Sequence, residues 1–125
     1  MNRKIQSDFP KEIINGSFVR QVSTFRNYIR KNSNYPPVSG RYHLYLSNAC
    51  PWAHRVLITL KLKKLDNTIS YSFVDPIRGS KGWKFDKNKY SDKINKFNFL
   101  SEAYKKTDKT FNKRVTVPVL WDKKM

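Results

Sequence analysis

Apolar and polar residues alternate from Tyr42 to Ser47, with Tyr42, Leu44 and Leu46 on one side and His43, Tyr45 and Ser47 on the other. A two-residue period predicts a strand. Asn48 and Ala49 make a short turn, and Pro51 suits the first position of a helix, where a missing N–H is no loss. Ala53, Val56, Leu57, Leu60 and Lys64 then recur at helical spacing, which predicts a helix from Pro51 to about Leu65. Ile58, Leu62 and Leu65 broaden its apolar stripe, so most of this helix is expected to be buried. Ile69, Tyr71 and Phe73 alternate with serines, which predicts a second strand over Thr68–Val74, ended by Asp75-Pro76. Strand, helix and strand in this order predict a βαβ unit with parallel strands.

Farther along, the pattern is less regular. Residues 76–92 are polar and carry Gly79, Gly82 and Trp83, which predicts a loop. Asp92 could cap a helix from about Lys93 to Lys105, with Ile94, Phe97, Leu100, Ala103 and Tyr104 on its apolar face. Arg114 to Trp121 reads as a third strand with Pro118 inside it, so an edge, a bulge or a strand entrance is expected there. Residues 1–40 read as an extension. Phe9, Ile13, Ile14, Phe18, Val22, Phe25 and Ile29 are apolar anchors without a clean period. The extension is either a loose tail or an arm that packs on the folded part.

Length and composition narrow the choice of class. The chain has 125 residues, enough for one domain. Hydrophobic residues make up 38%, which supports a modest core despite the charge. The net charge is +17, and 18 of the 26 basic residues are lysine. Lysine and asparagine are spread along the whole chain, a bias that reads as base composition rather than a binding surface. The arginines do not cluster, and no zinc-finger, KH or RNP pattern appears, so no specific nucleic-acid partner is expected. No segment approaches membrane-spanning length, and no signal-peptide pattern opens the chain. One cysteine excludes an internal disulfide framework, and a reducing, cytoplasmic setting is expected.

That cysteine is the candidate nucleophile. The predicted strand delivers Cys50 to the N-cap of the predicted helix, where unpaired N–H groups and the helix dipole favour a thiolate. The alternative for a lone cysteine is a small buried hydrophobe. His54 lies one turn on, so a Cys–His pair is conceivable. N-cap geometry aims the thiol away from the helix body, which favours a structural role for His54. Two histidines and one cysteine give no metal-ligand spacing, so no metal is expected.

Three strings carry a family resemblance: Gly40-Arg-Tyr-His-Leu-Tyr45, Ala49-Cys-Pro-Trp-Ala-His-Arg55 and Arg114-Val-Thr-Val-Pro-Val-Leu-Trp-Asp-Lys-Lys124. They closely resemble the glutathionyl-hydroquinone reductases, the Xi class of glutathione transferases, which is related to the Omega class. Phe18-Val-Arg20, Ser23 with Phe25-Arg-Asn27, and Gly82-Trp83 with Phe85-Asp86 match the same family. The resemblance runs from about Phe18 to Lys124.

The resemblance implies an α/β fold: a thioredoxin-like domain over 41–125 behind the extension 1–40. The domain is expected to be incomplete, because family members continue with a last strand, a Glu-Ser segment that holds the γ-glutamyl group, and an all-helical domain. That helical domain supplies the hydroquinone pocket and the contacts of a homodimer. Glutathione is the implied co-substrate, and quinone-derived conjugates are the implied substrates. Cys50 is the implied catalytic thiol, held during turnover as a mixed disulfide with glutathione. Thioredoxins carry a second cysteine three residues on; Ala53 stands there, so an external thiol must resolve that disulfide. The implied glutathione contacts are Trp83, Arg114, Val115, Val117 and Pro118. Val117-Pro118 is expected to be cis, with the Val117 backbone facing the cysteinyl part of glutathione. Arg114 is expected near the glycyl carboxylate, with Val115 beside it. Trp83 has no obvious core role in its polar loop and is expected against glutathione. Two other functions remain open: a glutaredoxin-like monothiol deglutathionylase, or an inactive gene fragment or basic binding module.

Overall fold

The computed structural model describes residues 12–125. A short antiparallel pair, β1 (Ile13–Ile14) and β2 (Ser17–Phe18), lies in the extension. The remaining elements are β3 (Tyr42–Leu46), α1 (Pro51–Leu62), β4 (Ser70–Phe73), α2 (Ser101–Thr107) and β5 (Val119–Asp122). β3 lies at the centre of a three-stranded sheet, parallel to β4 and antiparallel to β5. The expected βαβ unit is therefore present. In register, His43 faces Ser70 and Tyr45 faces Ser72 across one pair, while His43 faces Trp121 across the other.

Every residue of β3 is buried. Leu44, Tyr45 and Leu46 join Ala53 and Leu60 of α1, Val74, Leu100, Ala103 and Trp121 in one apolar cluster. The buried polar groups of this region are all satisfied. The His43 ring lies 2.7 Å from the Ser70 hydroxyl and 3.0 Å from that of Ser72. The Tyr45 hydroxyl donates to Asp92 at 3.0 Å and accepts from the Asn95 amide at 3.0 Å.

Several expectations change. Helix α1 buries only Ala53 and Leu60, and Ile58, Leu62 and Leu65 are exposed, so the broad apolar stripe is largely uncovered. The helix also stops at Leu62. Lys64 adopts a left-handed φ of 54°, the Leu65 N–H reaches back to the Leu60 carbonyl and the Lys64 N–H to Lys61, which is a Schellman closure. The helix expected over 93–105 shrinks to Ser101–Thr107. Asp92 does cap backbone, but it gathers the N–H groups of Ile94, Asn95 and Phe97 into a turn. Lys96 then takes a φ of 62°, which ends any helix there. Glu102 caps the shorter helix from inside, accepting from the N–H groups of Asn98 and Phe99. The third strand begins at Val119, one residue after a cis Val117-Pro118 bond, rather than at Arg114.

The extension packs on the folded part through a few anchors. Phe25 stacks on Phe111 and meets Tyr104 edge-on, each at 5.6 Å between centroids. The Tyr42 hydroxyl donates to the Pro36 carbonyl, and the Arg41 guanidinium to that of Asn34. Ile13, Ile14, Phe18 and Val22 are exposed, and Phe9 lies outside the described residues.

Candidate functional site

The turn from β3 into α1 is built from short local hydrogen bonds. Ser47 accepts the Ala49 N–H on its hydroxyl and the Cys50 N–H on its carbonyl. Cys50 is then the N-cap of α1, in extended conformation, with Pro51 at the first helical position. Its carbonyl accepts the His54 N–H at 3.0 Å, opening the helical ladder. No acidic side chain sits in the first turn to compete with an anion at this end. The Cys50 side chain is free and half-buried. Its thiol points at the Val117 carbonyl across 3.6 Å.

Cys50 also lies on a cleft of about 340 Å³, lined with Ser47, Asn48, Pro51, His54 and Phe73. His54 thus shares the cleft from the exposed face of α1. Trp52, two residues after Cys50, is 64% exposed.

The structure brings Cys50 and Val117 together, while Pro118, next in the chain, lines a second cleft with Tyr42, Tyr104 and Trp121. Val115 and Val117 are buried and belong to the apolar cluster. Arg114 lies at the start of the segment that leads to Val117. Its guanidinium pairs with Glu12 of the extension, and its N–H donates to the Gln21 side chain at 3.3 Å. Trp83 corrects an expectation, because it does have a core role. It is 8% exposed within the apolar cluster, its carbonyl accepts the Leu100 N–H, and the Arg78 guanidinium lies over its ring at 4.9 Å. Two glycines, Gly79 and Gly82, pair with each other and fold the polar loop back, which sinks the indole despite its polar neighbours.

Three residues near this segment escape sequence reasoning. Glu12 and Gln21 carry no motif; the only hint is an acidic residue in a strongly basic chain. Tyr104 is legible as part of an apolar face, yet its hydroxyl bonds the backbone of Thr116. Among the described residues, no group of three or more His, Cys, Asp or Glu side chains could hold a metal ion, and no helix is long and apolar enough to cross a membrane.

Known proteins share this fold. The family described as "Glutathione S-transferase, N-terminal domain" matches residues 49–124. Glutathione S-transferase omega-like 2 of Schizosaccharomyces pombe is 48% identical over 112 residues, covering 87% of this chain and 36% of that protein. Glutathionyl-hydroquinone reductase YqjG of Escherichia coli is 43% identical over 120 residues, covering 87% and 37%. The glutathione-bound structure of YqjG superposes with a TM-score of 0.69 at 47% identity, over 72% of this chain and 30% of that one. The Xi glutathione transferase of Phanerochaete chrysosporium superposes with a TM-score of 0.81 at 44% identity, over 86% and 38%. The chain therefore spans about a third of the length of the curated relatives it matches. A parallel βαβ unit with an antiparallel third strand is a thioredoxin-like arrangement, and the chain belongs to the glutathione S-transferase family through its N-terminal domain.

Proposed function

We propose that this chain binds glutathione over 41–125 and reduces glutathionyl-hydroquinones through Cys50. The observation that carries the proposal is the Cys50 thiol at the N-terminus of α1, facing the Val117 carbonyl across 3.6 Å. A ligand peptide laid against Val117 would bring its own sulfur to that thiol, as one rung of an antiparallel strand. Arg114 would receive the glycyl carboxylate through a charge-assisted bond. Val115 and Pro118 would frame the same strand. Trp83 would meet the ligand by an edge of its loop.

The chemistry then runs in two steps. The Cys50 thiolate attacks the sulfur of the conjugate. The sulfur–carbon bond breaks, its electron pair stays on the ring carbon, and that carbon takes a proton, which releases the hydroquinone. Cys50 is left joined to glutathione. A second glutathione, as thiolate, attacks this mixed disulfide, releases oxidised glutathione and restores Cys50. Ala53 stands where a resolving cysteine would be, so the second thiol comes from solution. A reducing cytoplasm supplies it. In this proposal the complete protein works as a homodimer, with the extension 1–40 as an arm of the glutathione-binding domain.

The test is a substrate panel on the reduced protein. Glutathionyl-hydroquinones should yield free hydroquinone and oxidised glutathione in equal amounts. Turnover of glutathionylated peptides alone would replace the proposal with a glutaredoxin-like reaction. Turnover of neither would make this a binding module.

A further inference from the structure

The extension touches the segment ahead of Val117 through a closed ring of polar contacts centred on Arg114. The Arg114 guanidinium donates to Glu12 Oε2, and the Arg114 N–H donates to Gln21 Oε1 at 3.3 Å. The Gln21 N–H donates to Glu12 Oε1 at 3.3 Å. The Val19 N–H closes the turn by donating to the Glu12 carbonyl at 2.6 Å. Glu12 is 0% exposed, while its neighbours Ile13, Ile14, Phe18 and Val19 stand in solvent. This inverts the usual order, because a carboxylate costs much to bury unless it is paired and hydrogen-bonded. Both Glu12 oxygens are engaged, and both partners belong to the ring around one arginine.

We propose that Glu12 and Gln21 are positioning residues for Arg114, holding its guanidinium in place for a carboxylate of glutathione. The inference rests on the reading above that Arg114 receives such a carboxylate. A guanidinium carries five donors in a rigid fork, and Glu12 engages it at Nη1. A quarter of the side chain remains open to solvent, so the fork is held without being sealed. A free arginine would lose rotamer freedom on meeting an anion; one already ordered loses less. Gln21 fixes the backbone of the same residue, three positions before the Val117 carbonyl that faces Cys50. The contrary view makes Glu12 a stand-in that a ligand carboxylate must expel. Expulsion would leave a buried carboxylate and a Gln21 N–H without their partners, whereas an ordered fork asks for no such loss.

The test is calorimetric titration of the 125-residue protein with S-methylglutathione, which cannot react with Cys50. Glu12→Gln should weaken binding about tenfold, equivalent to one charge-assisted bond. Glu12→Asp should restore part of the loss. Gln21→Ala, which leaves the buried charge in place, should weaken binding less. Alkylation of Cys50 by iodoacetamide at pH 7 should keep its rate in all three, because a merely unfolded arm or domain would speed it. Tighter or unchanged binding in both Glu12→Gln and Gln21→Ala, with Arg114→Met still impaired, would overturn the inference and leave the reading of Arg114 intact. Unchanged binding in Arg114→Met, or no binding by the unaltered protein, would remove that reading and the inference with it.

Discussion

The Tyr104 hydroxyl meets Thr116 twice, donating to its carbonyl at 2.8 Å and accepting its backbone N–H at 3.3 Å. Thr116 directly precedes Val117, so α2 holds the segment that faces Cys50. The same tyrosine packs on Phe111 at 4.8 Å and on Phe25 of the extension, so ring and hydroxyl act on different partners. Arg114, Thr116 and Val117 are thereby tied to the extension, to α2 and to Cys50 in turn. A pre-set strand is what a peptide-like ligand needs for backbone recognition.

Tyr104→Phe keeps the ring and removes both hydrogen bonds. The Thr116 N–H and C=O then lose a partner in a half-buried setting. We expect a loss of about 1–2 kcal/mol in stability, read from urea unfolding. Affinity for S-methylglutathione should fall with it, because Val117 is next in the chain. A variant with unchanged stability and unchanged affinity would show that the hydroxyl only decorates the loop.

Acid sensitivity should come from His43 before any carboxylate. Burial pushes its ring down from 6.5 to about 4, with a small opposing pull from Asp92 and a small further push from Lys123. The unfolded chain takes up this proton below 6.5, and the folded chain refuses it until about 4. Stability is therefore full above 6.5 and is lost as pH falls through that window, by roughly 3 kcal/mol in all. His43→Gln should have a nearly flat profile over the same range. Equal slopes for the two proteins between pH 7 and 4.5 would contradict this assignment.

The central βαβ unit and the place of Cys50 were legible because their causes are local. Period-two alternation, a proline at the first helical turn and a following alternating strand all lie within a few residues of one another. The end of α1 was not legible, since Lys64 in a left-handed conformation is a choice no lysine announces. The helix expected over 93–105 failed for a similar reason: its apolar spacing is real, but Asp92 and Lys96 turn that chain away from a helix. Trp83 sank into the core through a glycine-paired fold-back of its own loop, which composition alone reads as surface. Glu12 and Gln21 were hidden most completely. Their partner, Arg114, is about a hundred residues away, and no spacing rule spans that distance.

Arg41 and Asp122 tie the start of β3 to the end of β5. The guanidinium donates to both carboxylate oxygens, at 2.9 Å through Nε and 2.5 Å through Nη2, and both side chains are largely covered. The arginine holds the Asp122 carboxyl below the usual carboxylate range. A lowered carboxyl contributes stability above its unfolded value and loses it as pH falls through the folded one. Asp122→Asn should therefore lower the melting temperature at pH 7, with the difference shrinking below pH 4. A constant difference across that range would assign the effect to packing rather than charge.

Cys50→Ser should remove the covalent chemistry and leave the fold. The thiol is half-buried at the N-cap, at the edge of the apolar cluster, and makes one weak hydrogen bond, to the Val117 carbonyl, so a serine hydroxyl of similar shape can stand in its place. Stability should change by less than about 1 kcal/mol. The chemistry has no substitute, because the chain holds a single cysteine and Ala53 occupies the position of a resolving thiol. With a glutathionyl-hydroquinone and no free glutathione, the unaltered protein should stop after one turnover, carrying one glutathionyl group on Cys50. Intact mass measurement reads that adduct directly, and added glutathione should discharge it as oxidised glutathione. The serine variant should show no adduct and release no hydroquinone. Hydroquinone release by the variant once glutathione is added would move the reaction to glutathione itself, merely bound beside Val117, and a large loss of stability would return Cys50 to the role of a packed core residue.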